Sequence, residues 1–240
     1  MKRYEILDWD SDFFGFTVAR IVPDELDYNN LKEVLAEMKK EKVSLAYWAS
    51  CRTDEYSRKM AEDLGGFLTE KKITYLIILE SLNKESLRFA DMVEIYKDDK
   101  PNSDLEKLII EGGVYSRFYV DPKISREKYE ALHKLWIANS TNKSIAKVVL
   151  IIRKRSRIVG FVSLGEKAGR GNIVYIAVDA NIRGKGLGGA LMNSAHSWFI
   201  SNGYKYAQAE TQEANIIACR MYEKFGYNID KVQNFYHFWL

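Results

Sequence analysis

A glycine-rich turn between a strand-like run and an amphipathic run is the feature that most constrains how this chain of 240 residues can fold. The strand-like run covers residues 172–178, and the amphipathic run begins at Leu187 and predicts a helix. Glycines let a backbone approach a ligand closely, and the first N–H groups of a helix have no partners within it. Together with the helix dipole, these groups predict a site for a phosphate or pyrophosphate. The cations and glycines of the turn are Arg183, Gly184, Lys185, Gly186, Gly188 and Gly189.

Two interpretations of this turn compete. Residues 184–189 satisfy the dinucleotide-binding pattern G-x-G-x-x-G, and Glu210 lies about where a ribose-binding acid is expected. Against a dinucleotide site, residues 179–183 separate the strand from the glycines, and Leu187 already belongs to the helix pattern. The turn also lies in the last quarter of the chain, which leaves too little room for a doubly wound domain after it. A dinucleotide site and a plain surface turn are therefore the less favoured alternatives.

The sequence Arg-x-x-Gly-x-Gly at residues 183–188 resembles the acyl-CoA pyrophosphate loop of the GNAT superfamily of N-acyltransferases. A second signature of that superfamily, Asn-x-x-Ala-x-x-x-Tyr-x-x-x-Gly-aromatic, begins at Asn215. Asn215, Ala218 and Tyr222 are spaced three and then four apart, so they share one face of a predicted helix. Gly226 is typical of a helix C-terminus in the left-handed conformation. The two signatures together identify the chain as a member of this superfamily.

The resemblance implies acetyl-CoA as co-substrate and no metal. A backbone N–H would polarise the thioester carbonyl, and the Tyr222 hydroxyl would give a proton to the leaving sulfur. The general base is left open between Glu210, His237 and loss of the proton to water. The acyl-CoA-binding residues that the resemblance implies are Ile176, Ala177, Val178, Arg183, Gly184, Lys185, Gly186, Leu187, Gly188, Gly189, Asn215 and Ala218.

A narrower resemblance concerns the acceptor. Residues 7–15, residues 116–122 and residues 136–140 look like segments of dTDP-fucosamine acetyltransferases. These enzymes acetylate the 4-amino group of dTDP-4-amino-4,6-dideoxygalactose, which implies a nucleotide-sugar substrate on the way to a surface polysaccharide. A protein N-terminus or small free amine as acceptor, and a non-catalytic acyl-CoA-binding protein, are the alternatives. The acceptor-binding residues that this resemblance implies are Phe14, Ser116, Arg117 and Phe118.

The predicted fold class is α/β (α+β), with a GNAT acyltransferase domain at residues 113–240. Its expected order is helix, three strands, glycine loop, helix, strand, helix, strand. Residues 1–105 are predicted to form a smaller α/β domain, similar to part of the GNAT fold, that contributes to the acceptor site. The elements predicted there are an aromatic strand region at 13–21, a helix at 28–40, a strand at 43–49, a helix at 54–64 and a strand at 73–79.

Charge and cysteine content narrow the function classes. The 36 basic and 33 acidic residues give a net charge of +3, which is not the footprint of a nucleic-acid-binding protein. No apolar run is long enough to span a bilayer and the N-terminus lacks a signal-like segment, so we expect a cytoplasmic protein without a membrane partner. Two distant cysteines predict neither a disulfide framework nor a zinc site, and Cys219 is interpreted as structural. The aromatic C-terminal strand is compatible with a homodimer but does not require one.

Overall fold

The computed structural model describes residues 3–51, 53–82 and 90–240, and these ranges form one mixed sheet flanked by helices. The strands are β1 (Tyr4–Ile6), β2 (Val18–Ile21), β3 (Leu45–Ser50), β4 (Gly66–Ile78), β5 (Val93–Ile95), β6 (Val148–Lys154), β7 (Arg157–Lys167), β8 (Arg170–Val178), β9 (Tyr206–Gln212) and β10 (Asn228–Trp239). The helices are α1 (Asp8–Phe14), α2 (Tyr28–Lys40), α3 (Glu55–Asp63), α4 (Ser103–Gly112), α5 (Arg117–Val120), α6 (Arg126–Thr141), α7 (Leu187–Ser201) and α8 (Ile216–Lys224). No helix of these ranges combines the length and apolar character needed to cross a membrane.

The elements predicted for residues 113–240 are confirmed in type and order, from α6 through β6, β7 and β8 to the glycine loop, α7, β9, α8 and β10. In the N-terminal part, α2 covers the predicted residues and buries Leu31, Val34, Leu35 and Met38. Its N-cap is Asp27, whose side chain accepts a hydrogen bond from the Asn30 N–H at 2.8 Å. The α/β fold class is therefore confirmed.

The strand predicted at residues 13–21 is wrong in its first part, because Asp8–Phe14 is helical. The rings of Trp9 and Phe13 stack with their centroids 5.4 Å apart. Residues four apart are neighbours on one face of a helix, whereas along a strand they are too far apart for such a contact. Gly15 ends this helix at φ +82°, and the strand begins only at Val18. The aromatic composition of the segment therefore reflected one face of a helix.

Strand β4 joins the two parts of the chain that the sequence predicts as domains. In the sheet it lies between β10 and β9, within the order β1-β2-β3-β10-β4-β9-β8-β7-β6-β5. It pairs antiparallel with β10 from Gly66 to Leu76, and with β9 from Lys72 to Ile78. The C-terminal strand β10 also pairs with β3 on its other side. Strands from before residue 105 and after residue 113 therefore alternate at the centre of the sheet.

The two faces of the sheet bury separate apolar clusters. On β6, Leu150 and Ile152 pack with α7 residues, whereas Val149 and Ile151 pack with residues of α4 and α6. This alternation is the period of two expected of a strand that is buried on both faces. Helices α7 and α8 cover one face, which we call the α7/α8 face. The opposite surface, covered by α4, α5 and α6, is the α5/α6 face.

A buried carboxylate connects the end of α5 to the C-terminal strand. Asp121 is 1% exposed, and its Oδ2 accepts hydrogen bonds from His237 Nδ1 at 2.6 Å and Trp239 Nε1 at 2.9 Å. Its Oδ1 accepts from the Lys123 N–H at 2.9 Å. Burial alone would raise the pKa of Asp121, but these donors lower it below its ordinary value. The Asp121 carboxylate therefore fixes the segment that begins at Ser116 against β10.

We expect Asp121→Ala to lower the free energy of unfolding by about 3 kcal/mol or more, because it leaves several buried donors without their charged acceptor. Asp230→Ala is the matched control. Asp230 forms an ion pair with Arg170 at 3.0 Å in which the two side chains are 37% and 36% exposed, so its loss should cost below about 1 kcal/mol. Urea unfolding of both variants measures the difference, and equal losses would contradict the anchoring role of Asp121.

Stability should also fall in mild acid through buried histidines. Burial lowers the pKa of His196 from 6.5 to about 4, and its Nε2 lies 3.1 Å from the Tyr227 hydroxyl. The folded state therefore resists protonation that the unfolded chain accepts, so the contribution is complete above pH 6.5 and is lost as the pH falls toward 4. We expect His196→Gln to remove up to about 3 kcal/mol of this pH dependence in urea unfolding from pH 7 to 4. An unchanged pH slope would show that His196 contributes nothing to it.

Candidate active site

A gap in the sheet creates a cavity. Strands β8 and β9 pair in parallel only from Gly171 to Ile173 on β8, although β8 continues to Val178 and β9 to Gln212. Val174 interrupts the register between β8 and β7, as a β-bulge does. Where β8 and β9 separate, they enclose a cavity of about 370 Å³. Its lining includes Glu70, Lys72, Gly112, Gly113, Ser116, Arg117, Phe118, His133, Trp136, Tyr175, Ile176, Glu210, Gln212, Asn215, Ala218 and Tyr222.

The cavity brings together residues that the sequence assigned to two different ligands. From the acyl-CoA side it is lined by Ile176, Asn215, Ala218 and Tyr222, and from the acceptor side by Ser116, Arg117 and Phe118. Phe14 lies behind this wall, stacked on Phe118 with ring centroids 6.0 Å apart. Ala177 is buried in the cluster beneath α4, and the carbonyl of Val178 accepts a hydrogen bond from Arg183 Nε at 3.1 Å.

The glycine loop ends at the N-terminus of α7. Gly184 and Gly186 have φ of +78° and +80°, and a Cβ on either would meet no atom within 4 Å. Glycine is therefore required there for backbone conformation, and the space above it is open. Gly186 is the N-cap, and its carbonyl accepts the hydrogen bond from Ala190 N–H at 3.0 Å. The N–H groups of Leu187, Gly188 and Gly189 come before the first hydrogen bond within the helix, so they can bind an anion. The exposed side chain of Lys185 lies beside them in sequence.

Tyr222 enters the cavity from α8. It is 3% exposed, and its ring lies 5.5 Å from those of Tyr75 and Tyr227. Burial, and to a smaller extent Cys219, raises its pKa above the ordinary value of 10. The hydroxyl is therefore protonated at neutral pH and can act as a proton donor.

Asn215 and Cys219 have local structural contacts on the same helix. The Asn215 Oδ1 accepts a hydrogen bond from the Ala218 N–H at 3.2 Å, which makes Asn215 the N-cap of α8. Cys219 is buried, burial raises the pKa of its thiol, and its Sγ lies 3.6 Å from the carbonyl oxygen of Gln212. This environment is that of a packed cysteine and does not favour a thiolate.

The charged residues of the cavity come largely from the sheet. Glu210 is held between Lys72, at 3.4 Å, and Lys167. Burial alone would raise the pKa of Glu210, but the two lysines lower it below its ordinary value. The other base that the sequence left open, His237, is fully buried against Asp121 beneath Phe118. In the described ranges, no three His, Cys, Asp or Glu side chains are grouped as metal ligands.

The sequence analysis did not identify several residues of the cavity. Glu70 and Lys72 come from β4, about 140 residues before Glu210, and only the strand pairing brings them to the site. His133 comes from α6, and burial lowers its pKa to about 4. Ser116 Oγ and His133 Nε2 are buried at the wall without a hydrogen-bond partner among the described residues. Such unsatisfied groups are typical of a wall that a ligand completes.

Comparison with known proteins agrees with this geometry. The chain resembles a GCN5-related N-acetyltransferase from Sphaerobacter thermophilus with a TM-score of 0.61 at 13% identity, covering 98% of this chain and 75% of the other. It resembles a functionally unknown conserved protein from Staphylococcus epidermidis with a TM-score of 0.62 at 15% identity, covering 93% and 84%. At these identities the likeness shows the fold.

Sequence comparison adds a curated relative and the family. The chain is 23% identical over 124 residues to the spore coat polysaccharide biosynthesis protein SpsD of Bacillus subtilis (strain 168). That match spans 52% of this chain but only 43% of the relative. The profile of the Acetyltransferase (GNAT) family matches residues 89–227, which is more than half of the chain. The chain therefore belongs to the GNAT acetyltransferase family, whose members are acyltransferases.

Proposed function

We propose that this protein is an acetyl-CoA-dependent N-acetyltransferase that acetylates the 4-amino group of a dTDP-linked 4-amino-4,6-dideoxy sugar. The observation that carries the proposal is the cavity between β8 and β9. In it, a protonated tyrosine from the family's last helix meets the segment that begins at Ser116. Membership of the GNAT family supports the chemistry, and the acceptor rests on the wall of the cavity and on the curated relative.

The residues around the gap fit acetyl-CoA. Because β9 leaves β8 after Ile173, the backbone of residues 174–178 has no strand partner on that side and can bind the pantetheine arm. Gly184, Gly186 and the first turn of α7 would hold the pyrophosphate, with Arg183 and Lys185 adding charge. Acetyl-CoA supplies an activated acyl group as a thioester. A backbone N–H near Ile176 would stabilise the negative charge that develops on its carbonyl oxygen.

The acceptor wall fits a phosphate-bearing sugar better than a cationic peptide. The Arg117 guanidinium lies 4.3 Å from the ring centroid of Tyr47 and 4.6 Å from that of Phe118. The Asp10 carboxylate interacts electrostatically with this guanidinium. Because Arg117 also lines the cavity, its planar set of donors can bind an anionic group of the acceptor. Phe118, supported by Phe14, offers an apolar surface for the deoxy sugar. Residues before 105 would thus contribute to acceptor binding.

The name of the curated relative favours an amine on a sugar. SpsD is described as a spore coat polysaccharide biosynthesis protein, and the 124 residues over which the two chains align at 23% identity are about half of this chain's length. Amino sugars that enter polysaccharides are commonly carried on a nucleoside diphosphate, whose charge matches Arg117. This supports a nucleotide-linked acceptor over a free amine or a protein N-terminus.

The acceptor is tested by incubating the protein with acetyl-CoA and dTDP-4-amino-4,6-dideoxygalactose and measuring the products by mass spectrometry. We expect an acetyl mass gain on the sugar nucleotide with release of CoA. The C4 epimer and the free amino sugar are the matched controls for stereochemistry and for the nucleotide. Acetylation of a peptide N-terminus in preference to either sugar nucleotide would overturn the proposed acceptor.

Tyr222→Phe tests the proton donor. We expect turnover to fall about 10- to 1,000-fold, because the leaving thiolate loses a positioned acid, while acetyl-CoA binding is retained. Tyr75→Phe is the control, since Tyr75 contacts Tyr222 but directs its hydroxyl to Glu223 Oε1 at 3.1 Å. Steady-state kinetics and calorimetric CoA binding measure the two effects. Turnover that survives intact in Tyr222→Phe would make Tyr222 a packing residue.

A further inference from the structure

We infer that Glu70 accepts the proton that the acceptor amine loses, so that a carboxylate from β4 is the general base of this active site. The inference rests on the proposed function and assigns a role to a residue outside the part of the chain that matches the family. It follows from the placement of Glu70 in the cavity, its fixed orientation, and its position relative to Tyr222.

The Glu70 carboxylate is held in place by one of its oxygens. Its Oε2 accepts hydrogen bonds from the Arg117 N–H at 3.2 Å and from Gln212 Nε2 at 3.0 Å. Its Oε1 has a longer contact, with Lys72 Nζ at 3.9 Å. The side chain is 4% exposed and lies on the cavity wall. One oxygen therefore fixes the carboxylate, and the other is the group that an amine in the cavity would meet.

Glu70 and Tyr222 reach the cavity from opposite faces of the sheet. Side chains alternate along a strand, so Glu70 and Lys72 share a face, and Tyr75 points to the other. The α7/α8 face carries Tyr75 and Tyr222, which are in contact. The α5/α6 face carries Glu70, bound to the first N–H of α5. A thioester lying in the gap between β8 and β9 would have the carboxylate on one side and the phenol on the other.

This arrangement suits the two proton transfers of the reaction. The amine nitrogen forms a bond to the carbonyl carbon, and the proton that it must then lose passes to the Glu70 carboxylate. The carbon–sulfur bond breaks, and the sulfur takes a proton from the Tyr222 hydroxyl. Glu70 releases its proton to solvent and Tyr222 regains one, so the products are an amide and a thiol with no net consumption of protons. Groups of opposite protonation state are what such a reaction needs.

The second carboxylate of the cavity is less suited to this role. Glu210 is ion-paired with both Lys72 and Lys167, and these cations keep it from taking up a proton. Glu70 has no comparably short ion pair among the described residues, since Lys72 approaches it only to 3.9 Å. Of the two carboxylates, Glu70 is also the one bound to the backbone of the acceptor segment, at Arg117.

Glu70→Gln is the decisive variant, because glutamine keeps an oxygen for the Arg117 N–H but cannot accept the proton. We expect kcat to fall about 100-fold or more, with CoA binding unchanged by calorimetry, and the acidic limb of the pH profile of kcat/KM to disappear. Glu213→Gln is the matched control: Glu213 follows the end of β9, is 53% exposed and pairs with Lys71 of β4 at 2.7 Å. The Glu213→Gln variant should retain both the wild-type kcat and the acidic limb of the pH profile of kcat/KM.

The charged or titratable groups that face Glu70 also influence the acidic limb of the pH profile of kcat/KM. They are Lys72 on its own strand, Arg117 on α5, Glu210 on β9 and His237 on β10.

If Glu70→Gln does not fold, Gln212→Leu is the second test. It removes one donor to the carboxylate, which disfavours the charged form, so the limb should move to higher pH. A limb that stays in place in the folded variant would overturn the inference.

Two further outcomes separate this inference from the proposed function. A higher acceptor KM for Glu70→Gln, with kcat and the acidic limb unchanged, would make Glu70 a positioning residue and overturn its role as a base. If the wild-type protein does not acetylate the sugar nucleotide, the proposed acceptor is wrong. The comparison of Glu70→Gln with Glu213→Gln on whichever amine the protein does acetylate then decides the role of Glu70.

Discussion

The pairing of β4 with both β9 and β10 is the interaction on which the rest of the structure depends. It inserts a strand from the N-terminal part of the chain between two strands from the C-terminal part. Strand β9 is thereby held on the side away from β8, which it leaves after Ile173. The gap that results forms the cavity. The pairing of β4 therefore joins the two halves of the sheet and also helps to create the candidate active site.

Local sequence patterns predicted much of the C-terminal part because the deciding interactions are close in sequence. Apolar spacing fixed the helices, and the positive φ of Gly184, Gly186 and Gly226 explains why glycines mark the loop and the end of α8. The same reliance on local composition led to the wrong prediction for the first helix. Trp9 and Phe13 are as compatible with a strand in composition as with the helical stack that they form.

The acceptor side of the site was largely beyond prediction. Glu70 and Lys72 belong to a run of four polar residues at 69–72 of β4, which indicates an exposed segment as readily as a cavity wall. Their role emerges only when Glu70 meets Arg117 and Lys72 meets Glu210, contacts that span 47 and 138 residues. The pairing of residues so far apart in sequence depends on the assembly of the whole sheet, and no short sequence motif encodes it.

The insertion of β4 also orders the events of folding. Strand β10 is synthesised after the other nine strands described here, yet it pairs with both β3 and β4. Phe235 of β10, for example, lies opposite Ala49 of β3 and Glu70 of β4. Until β10 is made, the edges of β3 and β4 that will receive it have no partner strand, and such edges are slow to bury and prone to pair wrongly. The active site is therefore complete only after β10 has been synthesised and has paired with β3 and β4 at the centre of the sheet.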